Sequence, residues 1–466
     1  MKNKLNLSLI ALVMAGTTAL TSCSKSDDGG STPEVQPPVS TDANLTNSFF
    51  DKVTYKGAFG TTDWTTNWTS FTPKTNVYGA TTETLSGTIS ANRTLDASKV
   101  YLLSGFVYVS SGVTLTIPAG TVIRGDQASK GTLVVTMGGK LTAEGTSTNP
   151  IVFTSNKAVG ERAPGDWGGI IILGKAKNNI PGGTGLIEGG LTVPLGNHGG
   201  SDDADNSGTL KYVRVEFPGI AFQANNEING VTFGSVGSGT TVDYVQVSFS
   251  GDDSFEWFGG SVNAKHLVSI ANVDDVFDFD NGFTGKLQFL VAQRDPSLAD
   301  QAGQSNGIEA DNSEKVFDST PRTRPVISNM TLIGPGNVSV DTKHEYANLW
   351  RRGSQMVLAN SVFIGFRYGL DIRDKETGDA LTAGTSQIKN NIYQSYEAGK
   401  DVVADGATLS FATVDLLKTY LTTNTNTIID ATAAAALLNS PFTLTGTPVF
   451  TVKAGSAAST GAVFTK

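Results

Sequence analysis

The chain has 466 residues, a formal net charge of −9, one cysteine and three histidines. The negative charge argues against nucleic acid or an anionic membrane surface as a partner. A single cysteine excludes an internal disulfide, and His198, His266 and His344 lack the spacing of a zinc site. The stability of the fold must therefore come from its apolar core.

The first 22 residues predict a bacterial lipoprotein signal peptide. Two lysines precede an apolar stretch from Leu5 to Leu20, which is too short to span a membrane, and Leu20-Thr21-Ser22-Cys23 fits a lipobox. Cys23 is therefore the expected lipidation site, which predicts a membrane partner through the lipid anchor. Residues 23–47, rich in Ser, Thr, Pro, Gly and Asp, predict a flexible tether.

The residues after the cysteine bear on where the anchor lies. Ser24-Lys25-Ser26-Asp27-Asp28 is similar to the surface-export signals of Bacteroidetes lipoproteins. This resemblance implies an outer-membrane protein that faces the cell exterior. The alternative is an acidic start of the tether that is merely solvated.

Three segments follow the tether. Residues 48–84 are rich in aromatic and turn residues and predict an N-terminal cap, with sugar stacking by Trp64 and Trp68 as the alternative. Residues 85–400 consist of short strands separated by Gly, Ser and Pro turns. Residues 401–466 predict a C-terminal cap with two short helices and an extended tail.

A repeat organises the strand region. The segments Val242–Asn263 and Ala264–Gly285 align at a spacing of 22 residues, which places Asp252-Asp253 over Asp274-Asp275. A third copy lies at 306–312 and a weaker fourth copy at 369–374. A period in the low twenties with alternating strands predicts a parallel β-helix, and capped ends favour a monomer.

Alternation within each copy predicts which side chains leave the core. Phe255, Trp257, Phe277 and Phe279 are expected inside. Two outward columns are expected at a strand spacing of ~4.8 Å: Glu256, Asp278, Glu309 and Asp371 in the first, Asp280 and Asp311 in the second. The corner residues Asp252, Asp253, Asp274 and Asp275 are predicted to cap turns.

Like charges at this spacing repel, so a compensating group is expected. Raised pKa values, nearby Arg or Lys, or a bound Ca²⁺ would each serve. The calcium hypothesis assigns Glu256, Asp278, Asp280, Glu309 and Asp311 as metal ligands. The alternative is a hydrated acidic face that keeps solenoids from associating laterally.

The chain resembles a group of Bacteroidetes surface lipoproteins with right-handed parallel β-helix repeats. Four motifs carry the resemblance, which covers roughly residues 50–400: Gly165-Asp-Trp-Gly-Gly169, Ile187-Glu-Gly-Gly190, Ser250-Gly-Asp-Asp-Ser-Phe-Glu-Trp-Phe-Gly-Gly260 and Asp280-Asn-Gly-Phe283. It implies a right-handed helix and a role in uptake or attachment beside an outer-membrane receptor. More broadly, the architecture is similar to the pectin-lyase-like superfamily.

The sequence is compatible with three functions. The first is binding of a glycan or a partner protein without catalysis. The second is an enzyme: a calcium-dependent polysaccharide lyase with Arg351, Arg373 or Lys265 as the base, or a glycoside hydrolase with an acid pair. The third is a structural or adhesive surface protein.

Overall fold

Short parallel strands wind into a three-sided, right-handed β-helix. The computed structural model describes residues 44–223, 226–336, 341–403, 413–444 and 446–465, so Cys23 and most of the tether lie outside the described residues. Each rung contributes one strand, or half of a long bent strand, to each of three parallel stacks. The predicted fold class is confirmed.

The first stack carries the aligned acidic copies. It contains the second halves of β1 (Glu83–Ile89) and β3 (Val100–Val109), then β6 (Thr132–Val135), β9 (Ile170–Leu173), β15 (Val231–Gly234), β17 (Phe255–Phe258), β19 (Phe277–Asp280), β21 (Ile308–Ala310), β23 (Tyr346–Trp350), β26 (Tyr368–Ile372) and β29 (Val402–Val403).

The second stack contains the long strands. Its members are β2 (Arg93–Thr94), β4 (Thr114–Pro118), β7 (Lys140–Glu144), the first halves of β12 (Gly208–Glu216), β16 (Thr241–Ser248), β18 (Asn263–Ile270), β20 (Lys286–Gln293) and β22 (Val326–Ile333), and then β24 (Val357–Ala359) and β27 (Gln387–Lys389).

The third stack takes the first halves of β1 and β3 and the second halves of the long strands of the second stack. It adds β5 (Val122–Gly125), β8 (Ile151–Ser155), β25 (Val362–Phe366), β28 (Ile392–Ser395) and β30 (Thr427–Ile428). The remaining strands form three small antiparallel pairs: β10 (Gly185–Leu186) with β11 (Asn197–His198), β13 (Ala221–Gln223) with β14 (Asn226–Glu227), and β31 (Leu438–Ser440) with β32 (Val449–Val452).

Aromatic side chains fill the core of the central rungs. Phe255, Trp257, Phe277 and Phe279 are fully buried, as the alternation predicts. Their rings stack from rung to rung, with centroids 5.7 Å apart for Phe255–Phe277 and 5.1 Å apart for Trp257–Phe279. Stacked apolar rings of this kind stabilise the register that places the outward residues.

A second aromatic ladder lies on the outside, where the long strands bend. Tyr212, Tyr244, His266 and Phe289 occupy equivalent bend positions, each with a positive φ of 49° to 60°. Neighbouring rings lie 4.4, 4.1 and 5.1 Å apart along this order. The ladder leaves an apolar strip on the flank of the solenoid.

The N-terminal segment covers that strip, which corrects the predicted end cap. Backbone N–H groups of Asp51, Ala58 and Ser70 donate to side chains of three different rungs, at 2.9, 2.8 and 2.8 Å. Trp68 is 1 % exposed and packs edge-on against Tyr244, so it is not available to stack on a sugar. The segment runs along the side because the bend ladder offers its rings an apolar surface.

Helices contribute little to the described residues. They are a 3₁₀ turn (Pro73–Thr75), α1 (Lys375–Thr382), α2 (Val414–Thr423) and α3 (Ala431–Ala435). Leu417 and Leu421 of α2 pack into the main core beyond the last rungs, where they close the C-terminal end. None of the helices among the described residues is long and apolar enough to cross a membrane.

Candidate ligand-binding site

The site begins with one column of carboxylates on the first stack. Glu256 of β17 pairs in register with Asp278 of β19, which pairs with Glu309 of β21. This matches the column that the 22-residue spacing predicts. The column does not continue directly to Asp371, because Leu349 of β23 lies between Glu309 and Asp371.

The rung corners add four more carboxylates beside this column. Asp253 accepts a hydrogen bond from the backbone N–H of Asp275 at 2.8 Å, and Asp275 accepts one from the backbone N–H of Asn306. These two bonds fit the predicted capping role. Asp252 and Asp274 complete the set, and all four side chains line the same pocket as the column.

Two insertions form the rim of the pocket. The loop that precedes β11 supplies Glu188, and β14 with its following turn supplies Glu227 and Asn229. Asn229 Nδ2 donates to Glu188 Oε1 at 3.1 Å and also to Glu256, which joins the rim to the solenoid wall. Gly303 and Gln304, from the loop between β20 and β21, also line the pocket.

The result is one strongly acidic pocket. Its volume is about 300 Å³, and in the part of the chain that the structure describes nine carboxylates and a single basic side chain line it. The carboxylates are Glu188, Glu227, Asp252, Asp253, Glu256, Asp274, Asp275, Asp278 and Glu309. The basic residue is Arg351, whose guanidinium bonds Glu309 and lies 2.8 Å from Asp311 Oδ1.

Burial and mutual repulsion perturb these acids. Burial and the neighbouring Asp274 raise the pKa of Asp275 to about 8. Burial and Asp275 likewise raise the pKa of Glu309 to about 8, although Arg351 opposes the rise. Burial first and nearby carboxylates second raise the pKa well above its ordinary value for five others: Asp252, Asp253, Glu256, Asp274 and Asp278.

The donor set fits a hard cation. Three overlapping triads hold their ligand atoms within 4.8 Å of one another: Asp252–Asp253–Asp274, Asp253–Glu256–Asp278 and Asp275–Asp278–Glu309. Asp278 Oδ1 is buried and has no hydrogen-bond donor among the described residues. Calcium takes roughly six to eight oxygen ligands, mostly from carboxylates, carbonyls and water. Triads made only of carboxylates, with one unpartnered carboxylate oxygen, therefore suit Ca²⁺.

The other predicted site residues lie outside the pocket. Asp280 bonds the backbone and side-chain amides of Asn281, and Asp311 pairs with Arg351 and Arg352. Neither Asp280 nor Asp311 belongs to the pocket lining or to a triad.

The other predicted base residues are likewise engaged elsewhere. Asp371 and Arg373 form a pair at 2.7 Å, two rungs beyond Glu309. Lys265 lies on the second stack and pairs with Asp51 at 2.7 Å. Among the predicted bases, only Arg351 reaches the pocket.

The rim residues Glu188, Glu227 and Asn229 were not among the predicted site residues. Glu188 belongs to Ile187-Glu-Gly-Gly190, which carries the family resemblance, and Glu227 and Asn229 belong to Asn225-Asn-Glu-Ile-Asn-Gly230. Both segments are insertions that do not follow the repeat. The two glycines were the available signal, since the backbone N–H groups of Gly189 and Gly190 bond Asn226 Oδ1 at 2.6 and 3.2 Å.

Fold and site together define a parallel β-helix protein with a carboxylate-lined pocket on one face. A family model described as pectate-lyase like beta helix domain matches residues 87–438, about three quarters of the chain. The chain therefore belongs to that family. Comparison with curated proteins and with solved structures finds no match.

Proposed function

We propose that the protein binds Ca²⁺ in the acidic pocket and, with it, a glycan, without turning the glycan over. The observation that carries this proposal is the gathering of nine carboxylates around one pocket of about 300 Å³. Carboxylates so close together favour either protons or cations as partners. A bound cation would also attract a glycan hydroxyl or carboxylate into a pocket that is otherwise negatively charged.

The residues that would hold the cation are those of the triads. Asp278 belongs to two of the three and has the unpartnered oxygen, so it is the central ligand. Asp253 also belongs to two triads, one with Asp252 and Asp274 and one with Glu256 and Asp278. Calcium would supply electrostatic attraction and open coordination positions for sugar oxygens.

The absence of catalysis is part of the proposal. A lyase needs a base that is free to take a proton, and Arg351 is held by two carboxylates. A hydrolase needs one protonated and one ionised carboxyl at a set separation. Nine carboxyls around one pocket instead suit cation binding, because a cation relieves the repulsion among them.

We further propose that lipid at Cys23 anchors the protein to the outer membrane with the solenoid facing the cell exterior. The lipobox, the tether and the resemblance to Bacteroidetes surface lipoproteins support this location. A Cys23→Ala variant should leave the membrane fraction. Digestion of intact cells with an added protease should remove the parent protein, and its survival would contradict surface exposure.

Isothermal titration calorimetry with CaCl₂ tests the cation step. The Asp278→Asn/Glu309→Gln double variant should weaken Ca²⁺ binding by at least about tenfold, which is about 1.4 kcal/mol. The matched control is Glu314→Gln, an exposed glutamate on a nearby loop. Equal binding by the parent and the double variant would overturn the proposal.

The glycan step needs a separate measurement. The protein is applied to an array of uronate and neutral glycans with Ca²⁺ or with EDTA, and binding should be lost in EDTA. Absorbance of a new carbon–carbon double bond and an assay for reducing ends then report turnover. Unsaturated products would establish a lyase instead, and new reducing ends without them a hydrolase.

A further inference from the structure

A second pocket lies on the flank of the solenoid, away from the carboxylate column. Its volume is about 360 Å³. Phe442, Leu444 and α3 form one wall, and the bends after β22 and β25 form the other. The lining is mostly apolar, and Phe442 and Leu444 remain 41 % and 46 % exposed.

Among the described residues, one charged side chain lines this pocket. Arg294 follows β20 and is fully buried. Its terminal nitrogens donate to backbone carbonyls, at 3.0 Å for both Val273 and Asn306. It also donates to the carbonyl of Asp274, none of its hydrogen bonds goes to a carboxylate of the described residues, and its Nε–H has no acceptor among them.

This arrangement is costly without an anion. A buried charge is destabilising unless it is paired and hydrogen-bonded. Carbonyl oxygens satisfy part of the guanidinium, but they bring no negative charge. Asp275, Asp274 and Asp253 of the acidic pocket attract the Arg294 guanidinium, but none of their carboxylates accepts a hydrogen bond from it. The position that an anion would take is therefore the pocket that Arg294 lines.

We propose that this flank pocket is a binding site for a small molecule with an apolar body and one anionic end, such as a carboxylate or sulfonate. The apolar body packs beside Phe442 and Leu444, and the anionic end faces Arg294. The volume lies within the range of roughly 300–1,000 Å³ that is typical of ligand pockets. This site is separate from the acidic pocket and does not depend on calcium.

Glycines let the wall that carries Phe442 lie close to the solenoid. Gly334 and Gly365 lie on the floor of the pocket, and a Cβ at Gly365 would meet the Phe442 ring at 2.6 Å. Gln293 fixes the opposite wall, because its Nε2 donates to the carbonyl of Pro441 at 2.7 Å and of Thr443 at 2.9 Å. The wall that carries Phe442 is thus held at a set distance from the floor.

The test uses two fluorescent probes that differ in charge. The first is 1-anilinonaphthalene-8-sulfonate and the second is its uncharged analogue N-phenyl-1-naphthylamine. We expect saturable binding of the sulfonate to the full folded protein, at least about tenfold tighter than the neutral probe, which is about 1.4 kcal/mol. Decanoate should compete with the sulfonate probe.

Variants locate the site. Ala431→Trp places a large ring at the exposed mouth of the pocket, and Phe442→Ala removes one wall; each should weaken binding about tenfold. The matched control is Val77→Ala, an exposed apolar residue that does not line the pocket and should bind like the parent. Arg294 itself is avoided, because it also holds a corner of the acidic pocket.

Each outcome decides the proposal. If the neutral probe binds as tightly as the sulfonate, the proposal that the ligand has an anionic end is refuted. If neither Ala431→Trp nor Phe442→Ala changes the affinity, the location is wrong. Circular dichroism and the melting temperature of each variant show whether it is folded, and if one variant unfolds, the other provides the same test.

Discussion

The stability of the cation-free protein should fall as the pH rises from 5 to 8. Asp275 and Glu309 have folded pKa values of about 8, against ordinary values of 3.8 and 4.5. The folded state therefore binds more protons than the unfolded state between about pH 4 and pH 8. The stability that these protons contribute is present at low pH and is lost as the pH rises through the folded pKa values.

The size of the effect follows from the number of protons. Each proton that only the folded state binds changes the free energy of unfolding by about 1.4 kcal/mol per pH unit. The carboxyls repel one another and do not titrate independently, so we count one net proton. The expected loss between pH 5 and pH 8 is then about 4 kcal/mol. Ca²⁺ at a hundredfold excess over its Kd would return about 2.7 kcal/mol per site.

Urea unfolding followed by tryptophan fluorescence measures the free energy of unfolding in EDTA and in CaCl₂ at several pH values. In EDTA at pH 8, Asp278→Asn should be more stable than the parent, because it removes a charge from a repulsive column. The matched control is Asp203→Asn, an exposed carboxylate paired with Lys177. A free energy of unfolding in EDTA that is constant or rises toward pH 8 would refute the reasoning.

Three further predictions concern single side chains, each measured by urea unfolding. Arg351→Gln removes the one basic residue that lines the acidic pocket; it should cost about 3 kcal/mol in EDTA and much less in CaCl₂, and an equal cost in both would contradict its charge role. Trp68→Ala should cost about 3–5 kcal/mol, because Trp68 packs the N-terminal segment onto the bend ladder. Leu417→Ala should cost about 2–5 kcal/mol if α2 closes the core, and a negligible loss would argue against that cap.

The carboxylate column could be predicted because a parallel stack preserves sequence spacing. Strands β17 and β19 pair with no register shift, so residues 22 apart in sequence become direct neighbours. The column extends across the loop before β21, because the pattern of Asp275 to Asn281 recurs at Asn306 to Asn312. Asp371 is separated from the column by the rung of β23, which has Leu349 and not an acidic residue at this position.

The rim could not be predicted in the same way. Glu188 and Glu227 reach the pocket through insertions, whose path depends on turn geometry and on contacts distant in sequence. The link between them is Asn226 and Asn229, whose side chains bond the glycine loop and Glu188. No periodicity connects these residues, so only the three-dimensional structure brings them together.

The predicted position of the N-terminal segment differs from the structure for another reason. Its aromatic residues predict a contact with an apolar surface, and the exposed end of a solenoid is one such surface. The bend ladder is another, and its members Tyr212, Tyr244 and His266 recur at the same point of successive long strands. Simple alternation along a β-strand predicts that these side chains face solvent. At the bends, however, the residues have a positive φ, and their rings stack into a continuous strip.

The carboxylates of the pocket differ in what the fold gains from them. Asp253 and Asp275 accept backbone hydrogen bonds from the next rung, so the solenoid uses them whether or not a ligand is bound. Glu256, Asp278 and Glu309 occupy the middle of strands, where a neutral polar residue would pair without repulsion. Asp278 in particular has a buried oxygen with no donor among the described residues. The fold alone therefore accounts for Asp253 and Asp275, whereas the strand column is the part of the pocket that supports the proposed cation site.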